Sequence, residues 1–87
     1  MDEAGCRLGE LVSSWRRDAG LSQASLAEAL GIQQAAISKL ESGSSKLTVL
    51  QLLAILDACG LALSDVSRDI ESAARAGGIP IWERVNE

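Results

Sequence analysis

Glycine punctuates this chain. It falls at Gly20, Gly31, Gly43, Gly60 and the pair Gly77-Gly78, and the stretches between are apolar at helical rather than strand spacing. In the first stretch Leu8, Leu11, Val12 and Trp15 stand at i, i+3, i+4 and i+7, one face of a helix that Ala19-Gly20 ends. Ser22 is placed to cap a second helix from about Gln23 to Leu30, and a third begins near Gln33 and stops at Gly43. The loop GSSKL covers residues 43–47. Thr48 caps a fourth helix, about Val49 to Ala58, and Ser64 a fifth that runs to about Ala76 with Val66, Ile70, Ala73 and Ala74 on one stripe. The pattern predicts an all-α domain of five helices over residues 7–76. A short N-terminal tail (1–6) precedes it, and a C-terminal tail (77–87), extended or frayed, follows.

Composition narrows the function classes. With 87 residues the chain is one domain, large enough for one helical core without metal or disulfide. The core must be Leu, Ile, Val and Ala, because there is no Phe or Tyr and only two Trp. The fourth helix, VLQLLAILDA, is apolar almost all round, which suits burial on several sides or sharing with a partner. No apolar run is long enough to span a bilayer, and the acidic start MDEAG lacks the apolar core of a signal peptide. The expectation is a cytoplasmic protein. Cys6 and Cys59 then read as two reduced thiols. With no histidine, a zinc site is short of ligands and a His-dependent triad is excluded; no phosphate-binding glycine motif is present. The reading is therefore no enzyme, no metal and no cofactor. The net charge of -4 argues against non-specific attraction to nucleic acid, but residues 7–46 carry a net +1 and residues 47–87 a net -3.

The two short helices about Gly31 have the outline of a helix-turn-helix. Counted from Gln23, the fifth residue is Ala27, the ninth Gly31 and the fifteenth Ile37, with Leu26, Leu30, Ile32 and Leu40 at the fourth, eighth, tenth and eighteenth. In all seven places the chain resembles the Cro/cI-type (XRE) phage-repressor family. That family wants a small residue where the helices approach, glycine in the turn and aliphatic anchors around them. WRRDAGLSQASLAEALG resembles the family's entry into the motif and LESG its exit. The likeness covers residues 7 to about 66.

The resemblance implies a compact five-helix, lambda-repressor-like domain whose third helix enters the major groove. It implies a structural salt bridge between Arg16 and Glu41; if partly buried, loss of one partner would cost about 3–5 kcal/mol. In this docking mode Gln33, Gln34, Ala35, Ser38 and Lys39 are the candidates for base contacts. Glutamine pairs with adenine, lysine donates to guanine and the alanine methyl meets a thymine methyl. Gln23, Ser44, Ser45 and Lys46 are the candidates for phosphate contacts. Relatives carry more basic residues after the third helix. Here Lys46 stands alone, so affinity should depend on base contacts and on a dimer.

Half-sites about one helical turn, ~34 Å, apart suit a two-fold homodimer on double-stranded DNA. Val66, Ile70, Ala74 and Trp82 are candidates for its interface. Ile79, Ile81, Trp82 and Val85 are too apolar for an idle tail. They could pack on the domain, complete the dimer or bind another protein, as in antitoxins of this family. The expected function is a sequence-specific transcriptional regulator, a repressor on a palindromic operator. The alternative is an antitoxin or interaction module acting through its tail.

Overall fold

The computed structural model describes residues 3–85. They form α1 (Glu3–Asp18), α2 (Gln23–Leu30), α3 (Gln34–Ser42), α4 (Val49–Ala58), α5 (Leu63–Ala74), a 3₁₀ turn (Ala76–Gly78) and α6 (Ile81–Arg84). The architecture is all-α, as the glycine spacing predicts. No helix among the described residues is long and apolar enough to cross a membrane.

Local chemistry explains most boundaries. Ser22 Oγ accepts the Ser25 amide at 3.0 Å and so caps α2. Thr48 and Gln51 form a reciprocal capping box at the start of α4, with bonds of 3.1 and 2.8 Å. Four boundaries differ from the sequence reading, the first being that α5 ends at Ala74 rather than about Ala76. α1 starts at Glu3, inside the expected tail, and Ala4 is buried. Ser64 is not the cap of α5: the Asp65 carboxylate accepts the Ala62 amide at 2.9 Å, so the helix starts at Leu63. The tail is not extended throughout, because after the 3₁₀ turn Ile81–Arg84 coils into a single helical turn.

The core joins Val12 and Trp15 of α1, Leu26 and Ala27 of α2, Ile37 and Leu40 of α3, Ile55 and Leu56 of α4, and Val66 of α5. Leu26 and Ile37 are fully buried. α1 packs against both α3 and α5, and α2 packs against α3 and α4, so α3 is held from two sides. The α1–α3 contact is backbone against backbone. A methyl group on Gly9 would fall 2.7 Å from the Leu40 carbonyl oxygen and closer still to that of Glu41. One on Gly43, at the end of α3, would meet the Gly5 carbonyl at 2.9 Å.

Candidate nucleic-acid interface

The turn between α2 and α3 is built by the backbone. Gly31 takes a left-handed conformation, φ 70° and ψ 31°. There its amide reaches the Glu28 carbonyl at 3.1 Å while the Ile32 amide reaches that of Ala27 at 3.0 Å. These two bonds make a Schellman closure, and glycine adopts it without the steric cost of a Cβ. Ala27, only 3% exposed, lies at the helix–helix approach. The end of α3 repeats the device at Gly43, and three donors converge on the Lys39 carbonyl: the Ser44 amide at 3.0 Å, Ser42 Oγ at 3.1 Å and Ser44 Oγ at 3.2 Å.

α3 presents two faces. Ile37 and Leu40 are sealed in the core. Gln33, Gln34, Ala35, Ser38 and Lys39 are all exposed. Gln33 precedes the helix in an extended conformation and makes no capping bond. Among the described residues, the polar side chains of Gln33, Gln34, Ser38 and Lys39 have no hydrogen bond or ion pair within the chain, so all are available to a ligand. One motif position departs from the expected burial: Ile32, in the turn, is 43% exposed.

Arg16 and Glu41 form a bidentate pair that ties α1 to α3. Arg16 Nε donates to Glu41 Oε2 at 2.7 Å and Nη2 to Oε1 at 3.2 Å; Nη1 donates to the Leu21 carbonyl at 2.9 Å. The two side chains are only 13% and 8% exposed. Burial pushes the Glu41 carboxyl up, but hydrogen bonds from Arg16, Gln23 and Ser13 and the Arg16 charge outweigh it, holding the group below the usual carboxylate range. The bond to Glu41 raises Arg16 against the opposing effect of burial. Cys59, a free half-buried thiol, is pushed up by burial and partly restrained by the Arg16 charge.

The candidate phosphate ligands divide. Gln23 Nε2 donates to Glu41 Oε1 at 3.0 Å, so this side chain joins the brace between helices. Ser44 Oγ is engaged with Lys39 and Ser42, whereas Ser45 and Lys46 are exposed. The candidate dimer residues divide too. Val66 is 6% exposed and belongs to the monomer's core, because α5 packs that side onto α1; Ile70 is half-buried against the same core. Ala74 is half-buried and Trp82 is 75% exposed. Reading the sequence missed Gly9 as a contact that aims α3. Its signal was a glycine inside a helical pattern, costly unless packing requires it.

The model of the family described as helix-turn-helix matches residues 12–66. The chain belongs to the helix-turn-helix family, in its Cro/cI-like (XRE) branch. Its match runs from the middle of α1 to the start of α5 and so takes in α2, α3, α4 and the Arg16–Glu41 pair. A solved structure to which the helix-turn-helix chain is similar is the clp gene regulator ClgR from C. glutamicum. The two are 27% identical, with a TM-score of 0.71 over 80% of this chain and 90% of that one. No curated protein sequence matches. Family and neighbour together support a DNA-binding transcription regulator.

Proposed function

We propose that the chain is a cytoplasmic repressor that reads a palindromic operator in double-stranded DNA as a homodimer, occluding a promoter. The observation that carries this reading is the division of α3: Ile37 and Leu40 are locked inward while Gln34, Ala35, Ser38 and Lys39 are exposed on the braced helix, with exposed Gln33 just before it. Gln33 and Gln34 pair with adenines, Lys39 donates to guanine, and Ala35 and Ser38 complete the edge. Lys46 and Ser45 meet the backbone beyond α3, and Gln23 contributes through its backbone amide at the start of α2, its side chain being held by Glu41.

Band-shift titration against the region upstream of the gene tests this. Gln34→Ala or Lys39→Ala should weaken the operator complex about 5- to 150-fold while the fold survives. Lys46→Ala should weaken all sequences alike and lower the salt slope by about one. A folded protein that forms no saturable complex at low salt refutes the reading.

A second reading, an antitoxin or interaction module, draws on the tail, where Ile79, Ile81, Trp82 and Val85 are all exposed. Pull-downs with and without residues 77–87 separate it: a truncation that loses neither a partner protein nor the dimer counts against it.

A further inference from the structure

Two apolar features among the described residues stay open to water and complement each other. The first is a groove of about 370 Å³ beside α3, lined by the apolar residues Leu30, Ile32, Ala36, Leu40, Ala54 and Ile55 and by the polar Lys39, Ser45 and Gln51. Leu50, one turn before Ala54 on α4 and 79% exposed, carries the apolar surface outward from it. The second is the tail. Val85, which ends α6, lies four residues after Ile81 and three after Trp82, so the three fall within one arc of the turn, and Ile79 precedes them; the exposures of Ile79, Ile81, Trp82 and Val85 are 39%, 40%, 75% and 56%. Glu83 falls off that side, so α6 is amphipathic. The 3₁₀ turn that leads into the tail packs on α1, which contributes nothing to the groove, and α6 packs broadly on no other described element.

We propose that α6 of a second copy seats in this groove, and that two chains exchange tails reciprocally. This rests on the dimeric reading above and says where the dimer closes. Each chain carries this groove and this apolar helical turn, so a two-fold exchange satisfies both and leaves no open end. The mode is that of an amphipathic helix laid in an apolar groove, with an aromatic anchor. The area suffices. Trp82 alone offers on the order of 150 Å², and with its aliphatic neighbours each tail brings roughly 350 Å². With the open groove lining and Leu50 added, two seats bury about 1,200 Å², the low edge of the range of stable interfaces.

Sedimentation equilibrium of the full chain, without DNA, tests the exchange. Trp82→Ala removes the anchor, and Ala54→Glu puts a charge on the groove wall at an exposed position where the fold should be indifferent. Circular dichroism confirms that both variants fold. Each alone should sediment as a monomer where the wild-type chain is a dimer. An equimolar mixture should associate again, at least tenfold more weakly than wild type, because the intact tail of one variant still fits the intact groove of the other. A wild-type dimer that neither substitution disturbs overturns the seat but leaves the dimeric reading standing. A monomeric wild-type chain overturns both, and variants that stay monomeric when mixed overturn the exchange. Operator binding is measured separately and does not decide any of these outcomes.

Discussion

Replacing Glu41 with leucine should be among the most damaging single changes in this domain, and adding Arg16→Met should repair most of it. Glu41 receives two charged hydrogen bonds from Arg16, and the side chains are 8% and 13% exposed, so neither charge has ready access to water. Removing the carboxylate leaves the guanidinium with the Leu21 carbonyl alone and strands it in a nearly closed site. The cost of breaking such a pair is about 3–5 kcal/mol, and the remaining exposure puts the expectation near the lower end, ~3 kcal/mol. A chain of 87 residues has about 4–13 kcal/mol in all, so a large share of the stability goes. The midpoint of thermal unfolding should fall by about 12–24 °C. With both charges replaced by apolar groups nothing is stranded, and the double variant should lie within ~1 kcal/mol of wild type. Urea unfolding followed by circular dichroism on wild type, both single variants and the double completes the cycle. Single losses below ~1 kcal/mol would show a pair that behaves like an ordinary surface ion pair. A double variant as unstable as the sum of the singles would show no coupling. Either result refutes the reasoning.

Gly9→Ala should destabilise the fold by about 1–2 kcal/mol in chemical unfolding: alanine gains ~1 kcal/mol of helix propensity, but its methyl overlaps the carbonyls of Leu40 and Glu41, an overpacking that costs more. Acid should also weaken the domain. Glu41 is held below the usual carboxylate range in the folded chain, so its contribution is complete above that range and is lost as the pH falls through the lowered value. Unfolding free energies measured from pH 7 downward should fall more steeply for wild type than for Glu41→Gln, and parallel curves would show that another carboxylate is responsible.

The parts of the fold legible in the sequence are those settled by neighbours along the chain. Ser22, Gly31, Gly43 and Thr48 act on backbone groups a few residues away, and they place α2, α3 and α4 to within a residue. The early start of α1 was not legible, because Gly5 lies against Gly43 at the end of α3, distant in sequence. Ser64 would cap by accepting an amide ahead of it, whereas Asp65 reaches back to the Ala62 amide, and which wins depends on the direction from which the chain enters α5. At the site, exposure of Gln34, Ala35, Ser38 and Lys39 follows from the helical period. That Gln23 turns to Glu41, and that Val66 faces the core, depends on how helices meet. The tail had no repeat long enough to fix a period, so its single turn was beyond reach.

The bare backbone contact between α1 and α3 has a consequence for how the domain adapts to imperfect sites. Side chains between helices act as cushions, since rotamers can shift to let one helix slide or roll by an ångström. At Gly9 and Gly43 no cushion exists, and carbonyls face the opposing main chain directly. α3 therefore cannot tilt toward a misplaced base without taking α1, and the core behind it, along. Tolerance for variation in an operator must then come from the long, free side chains of Gln33, Gln34 and Lys39, or from bending of the DNA itself. Such a protein should distinguish sites by how easily they deform as much as by the bases it touches.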